Sequence, residues 1–78
     1  MQNQVVAEWT RSTSEVIRVH LDEWRGRPLF SCRIWVRAEG DKLIPTSKGI
    51  TLAVSHLRPM AEALNKAVVQ AKDQDLIK

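Results

Sequence analysis

From Glu15 to Asp22 the chain alternates, with Ile17, Val19 and Leu21 in one set and Val16, Arg18, His20 and Asp22 in the other. Successive side chains of a strand point to opposite faces, so this segment is expected to be a half-buried strand. The alternation returns at Leu29 and predicts a second strand over Leu29 to Val36. Phe30, Cys32, Ile34 and Val36 are all apolar and mark its core face, whereas Leu29, Ser31, Arg33, Trp35 and Arg37 share the other face. Trp24-Arg25-Gly26-Arg27-Pro28 reads as the connection between the two, because Gly26 tolerates unusual dihedrals and Pro28 holds Arg27 extended. Ala38 to Asp41 reads as a turn, Lys42 to Ile44 as a short third strand, Pro45 to Gly49 as another turn, and Ile50 to Ala53 as a fourth strand. Short strands joined by brief Gly- and Pro-containing turns argue for an antiparallel meander.

From Ser55 the period changes from two to 3.6. Leu57, Met60, Ala61, Leu64, Val68 and Ala71 form one stripe of an amphipathic helix, with Arg58, Glu62, Lys66 and Gln70 opposite. Ser55 is the expected N-cap, and Pro59 predicts an irregular or kinked first turn. The helix should end near Lys72, leaving a frayed tail. In Met1 to Ser14, Val5, Val6 and Trp9 suit either a further strand or an arm over the sheet, and Arg11 to Ser14 suit a loop. The expected fold is α+β: a four-stranded antiparallel curved sheet followed by one C-terminal amphipathic helix (ββββα) that covers one sheet face. The expected division is an arm or extra strand over 1–14, the ββββα domain over 15–72, and a tail over 73–78.

Size sharpens this picture. A chain of 78 residues is one domain, and such a monomer buries only about 60–65% of its unfolded surface. One cysteine excludes an intramolecular disulfide, and the two histidines, His20 and His56, are too far apart in sequence to suggest a metal cluster. The missing staple favours a homodimer. No apolar run is long enough for a membrane span, and MQNQVVAEW has neither a basic n-region nor an apolar h-region. A soluble, intracellular protein is expected: cytoplasm or nucleoid for a bacterial or phage chain, nucleus for a eukaryotic one.

Charge is what turns the fold toward a function. The net charge is +3, yet residues 25–37 alone hold four arginines and no acidic residue, so the remainder nets −1. This is a local patch rather than a generally basic chain. It carries Arg25, Arg27, Arg33 and Arg37 beside Trp24 and Trp35. Guanidinium groups neutralise phosphates, and flat aromatics stack unpaired bases. The combination points to nucleic acid, and to single strands in particular. On the first strand, Arg18 and His20 lie on the same polar face and are further candidates for phosphate contact.

Plainer readings stand beside these. The arginines could be a solvated face, Trp24 could cap the core edge, and Trp35 could serve a dimer contact or sit under the N-terminal arm. His20 could be an ordinary surface histidine. Trp9 is expected to pack, and Cys32, between Phe30 and Ile34, to be a small buried hydrophobe. No nucleophile–base pair, carboxylate pair or phosphate-cradling loop can be assembled, so an enzyme, a metal or a cofactor is not expected. The rival class is a small dimeric protein-interaction adaptor whose tryptophans are hot spots and whose arginines meet an acidic partner. Groove recognition of duplex DNA or RNA is less attractive, because the single helix is needed for the core.

The order of pieces from Glu15 to Ala71 resembles a known family: the DNA-binding domain of the transcriptional coactivator called positive cofactor four, which has bacterial and phage relatives. The most specific elements are Trp24-Arg25-Gly26-Arg27 and the Lys48-Gly49-Ile50 turn inside IPTSKGITL. The resemblance implies a dimer of ββββα units whose curved sheets grip single-stranded or melted DNA. It implies a stacking role for Trp24 and backbone contacts for Arg25 and Arg27. It also matches Arg33 to the family's second-strand arginine and Lys48 to the lysine before the turn glycine. The implied partners are single-stranded DNA, with RNA open, a second copy of the chain, and the transcription machinery. The implied setting is transcription regulation or DNA replication and repair. Ser31 stands where the family usually has an acid, Ile44 and Ser47 where it often has bases, and the strand-end aromatic is shifted, with Trp35 followed by Val36. These departures remove positive charge from the third strand and its turn. They imply weaker binding or a different strand path.

Overall fold

The sheet is built by one long hairpin with a strand added on each side. In the computed structural model, which describes residues 3–78, four strands run β1 (Gln4–Thr10), β2 (Glu15–Trp24), β3 (Arg27–Arg37) and β4 (Leu43–Ala53). Helix α1 (Leu57–Asp73) follows. All neighbours are antiparallel and the order in the sheet is the order in sequence. The ββββα pattern is as expected, but two of its strands are composed differently.

β1 comes from the segment whose structure the sequence left open, and Met1 and Gln2 lie outside the described residues. It pairs with β2 from Gln4↔Leu21 to Thr10↔Val16, with an irregularity between Val5 and Ala7 that admits Val6. The expected third and fourth strands are a single strand. Arg33 pairs with Gly49 and Trp35 with Pro45, so Thr46, Ser47 and Lys48 together oppose Ile34. What looks like a Pro–Gly turn is a bulge, which keeps the strand paired on both sides. Gly49 is required there by close approach: a Cβ would lie 2.4 Å from the Cys32 carbonyl oxygen. A short 3-10 turn at Glu39–Asp41 links β3 to β4.

The connection between β2 and β3 is also tighter than expected. Only Arg25 and Gly26 form the turn, with φ of 51° and 77°. Positive φ at both central residues is the two-residue hairpin geometry that matches strand twist. Trp24 and Arg27 belong to the strands and pair directly. Among the described residues β1 begins opposite Leu21 and β4 ends opposite Leu29. The tip from Asp22 to Pro28 therefore projects as a two-stranded wing. Pro28 is tolerated because it pairs only with Glu23 and owes no bond to β4.

The registers fix the faces. Ile17, Val19, Leu21, Phe30, Cys32, Ile34 and Val36 lie on one, as the alternation predicts, and Ile44, Ile50 and Leu52 of β4 join them there. Phe30 is buried, and Val54–His56, a 3-10 turn, packs against its strand. Cys32 is only half-buried, and Ile44 and Ile50 are exposed. Helix α1 does not cover this face. Among the described residues it packs appreciably only against the 3-10 turn that precedes it, and Leu64, Val68 and Val69 are exposed. Ser55 lies within that turn, so the N-cap position falls to His56, whose side chain makes no capping bond. Pro59 becomes the third helical residue, where a backbone N–H has no intrahelical acceptor, and α1 begins regularly.

Candidate nucleic-acid interface

The residues that the sequence singles out occupy three places, the first two on the opposite face and the third at the β4 edge. The first is the projecting hairpin. Trp24 is 58% exposed, and the Arg25 guanidinium sits 4.6 Å from the centre of its ring. The left-handed conformation of Arg25 turns its side chain back over the preceding indole rather than along the strand. Arg27, directly across the ladder from Trp24, is exposed. The projecting end of the sheet thus presents an indole flanked by two cations.

The second place is the middle of β2 and β3. Val16 pairs with Trp35, Arg18 with Arg33, and His20 with Ser31. The Arg18 guanidinium lies 4.8 Å from the Trp35 ring centre, and the His20 ring lies 5.2 Å away, tilted by 58°. Arg18 is in turn held from β1, where its Nε donates to Glu8 Oε1 at 2.8 Å. Trp35 is consequently half-buried, with its indole Nε1 enclosed and without an acceptor among the described residues. His20 is only 5% exposed, which corrects the surface-histidine reading. Burial, and next the Arg18 charge, lower its pKa from the ordinary 6.5, while Asp22 and Glu8 oppose the shift. It is neutral near pH 7.

The third place is the β4 bulge. Arg33 donates from Nη1 to the Thr46 carbonyl at 3.0 Å and from Nη2 to Thr51 Oγ1 at 2.9 Å. Thr46 Oγ1 donates to the Ile34 carbonyl at 2.8 Å and accepts from the Lys48 amide at 3.1 Å. Lys48 is exposed at this edge, beside a shallow hollow that Arg33 and Gly49 line together with Ile17, Cys32 and Ile34 of the apolar face. Arg37 stands exposed at the far end of β3.

The candidates therefore divide by what they already touch. Among the described residues Arg25, Arg27, Arg37 and Lys48 carry no ion pair, whereas Arg18 is paired and Arg33 is hydrogen-bonded within the sheet. The partners Glu8, Thr46 and Thr51 carry no signal in the sequence pattern. Glu8 becomes visible only once 4–10 is a strand in register with β2, which puts an acid opposite Arg18. Among the described residues no group of three or more His, Cys, Asp or Glu could hold a metal, and no helix is long and apolar enough to cross a membrane.

A small open antiparallel sheet with a cation-flanked indole on its longest hairpin and one C-terminal helix defines a class of single-sheet binding domain. Residues 11–63 match the model of the family described as Transcriptional Coactivator p15 (PC4), and the chain belongs to that family. Two crystal forms of a PC4 homologue from Burkholderia pseudomallei share the fold. The orthorhombic form has a TM-score of 0.80 at 24% identity, over 86% of this chain and 90% of that one. The tetragonal form has a TM-score of 0.78 at 24% identity, over 86% and 98%. The bacteriophage T5 homologue of PC4, which is implicated in recombination-dependent DNA replication, has a TM-score of 0.70 at 19% identity, over 91% and 80%. No curated protein matches the chain.

Proposed function

We propose that this protein is a homodimer that binds single-stranded or melted DNA without strong sequence preference, in transcription regulation or in DNA replication and repair. The observation that carries the reading is the projecting hairpin: an open indole at its tip, with Arg25 over the ring and Arg27 beside it. The indole stacks a base, and Arg25, Arg27, Arg37 and Lys48 meet phosphates. Trp35, with Arg18 and His20 packed on it, is the second aromatic surface along the same face. Family membership supports a role on DNA, and the phage relative's link to replication favours that process as a candidate. RNA single strands offer the same phosphates and bases and are a weaker candidate. The transcription machinery is the candidate protein partner. A DNA-bound role fits the cytoplasm or nucleoid of a bacterial or phage-infected cell, which the bacterial and phage relatives favour, or the nucleus of a eukaryotic one.

Two unmatched apolar surfaces support dimerisation, the sheet face with exposed Ile44 and Ile50 and the helix with exposed Leu64, Val68 and Val69. Among the described residues neither covers the other within one chain to any appreciable extent. A second copy supplies the missing cover, and sedimentation at micromolar concentration should give twice the chain mass. For binding, a labelled oligo-dT is titrated beside a duplex of equal length at two salt concentrations. Tight binding of oligo-dT that weakens with salt, with the duplex weaker, supports the reading. A flat oligo-dT titration at low salt overturns it and leaves the protein-adaptor class.

A further inference from the structure

We infer that Arg33 is a positioning residue: it acts on the bound strand through the β4 bulge and Lys48 rather than by holding a phosphate itself. The inference rests on the single-strand reading above, but its basis is separate.

Three residues of β4 face one residue of β3 at the bulge, so their backbone groups cannot all find ladder partners. Side chains take over. The Arg33 fork reaches across the sheet to the Thr46 carbonyl on one prong and to the Thr51 hydroxyl on the other, so it grips β4 on both sides of the bulge. Thr46 then joins the Ile34 carbonyl to the Lys48 amide through a single hydroxyl. Gly49 closes the far side, jammed against the Cys32 carbonyl. Lys48 is the only cation in this segment, and its backbone is fixed by the same chain of contacts. Two prongs with two separated acceptors need a planar guanidinium, because an ammonium offers a point charge on a flexible stem. A phosphate contact would ask only for charge.

Three variants read the difference. Arg33→Lys keeps the charge and loses the fork, Thr51→Val removes one acceptor and no charge, and Lys48→Ala removes the cation being placed. The inference predicts that Arg33→Lys and Thr51→Val each weaken oligo-dT binding by roughly 2- to 10-fold. Added to Lys48→Ala, either should cause no further loss, since residues in one network are not additive. Hydrogen exchange without DNA should show the Lys48 amide less protected in both, while β2 amides keep their protection. Arg33→Lys binding like wild type, or losses that add fully to Lys48→Ala, would make Arg33 a phosphate contact and overturn the inference. Unchanged Lys48 exchange would also overturn it. If wild type ignores oligo-dT, the single-strand reading fails and the strand-placing role fails with it. The exchange arm then still reports whether Arg33 holds the bulge.

Discussion

Replacing Trp24 with alanine removes the one aromatic that the sheet leaves open at its projecting tip. The indole is 58% exposed, and Arg25 occupies one side at 4.6 Å, so a single base can stack on the other side. Stacking on an aromatic is worth about 1–3 kcal/mol per base, and 1.4 kcal/mol is a factor of ten. Trp24→Ala should therefore weaken oligo-dT binding about 5- to 150-fold. The side chain carries no charge, so the slope of log K against log salt should stay that of wild type. The cost to the fold is bounded by the same geometry. Some two-fifths of an indole leaves its contacts, roughly 2 kcal/mol as an upper estimate from buried area, plus about 0.5–1 kcal/mol for the cation–π contact. Anisotropy of a labelled oligo-dT at four salt concentrations, with a thermal melt to confirm folding, measures both quantities. A folded variant with wild-type affinity would refute the stacking role. So would a loss of affinity accompanied by a shallower slope, because it would mean that phosphate contacts, not a base, had gone.

The other predictions concern charge and protonation. Arg25→Ala combined with Arg27→Ala should lower both affinity and the salt slope, the slope by about 1.4 for two single-strand phosphate contacts, in the same titration. His20 is predicted to make stability pH-dependent. Its folded pKa lies below 6.5, so the unfolded chain binds more protons on the acid side, and stability is full above about pH 6.5 and falls as pH drops. Denaturant midpoints between pH 7.5 and 5.5 should fall less for His20→Gln than for wild type. Parallel curves would remove His20 as a cause.

The parts of the fold that are legible in the sequence are those whose pattern is local. β2 and β3 alternate without interruption, and their faces follow from Ile17, Val19 and Leu21 against Arg18 and His20. The helix follows from its stripe, though not its packing, since no period says which surface covers Leu64 and Val68. β1 is not legible in the same way, because Val6 breaks the two-residue period where the strand slips register. β4 divides in two on inspection because Pro45 and Gly49 carry turn signals, while the bonds that keep it one strand come from Arg33 and Ile34, twelve or more residues away. The same distance hides part of the site. Trp24, Arg25 and Arg27 are neighbours in sequence and in space, but Arg18 and Arg33 look as available as they do only until Glu8, Thr46 and Thr51 are placed beside them.

The central claim is that a single strand lies on the hairpin and the polar sheet face, and chemical-shift mapping with oligo-dT tests it most directly. The account predicts that the Trp24 indole N–H and the amides of Arg25, Gly26 and Arg27 shift most, and those of Arg37 and Lys48 next. Amides of α1 from Leu64 to Val69 should stay still. Shifts concentrated on α1 with the hairpin unmoved, or no shifts at all at low salt, would contradict it.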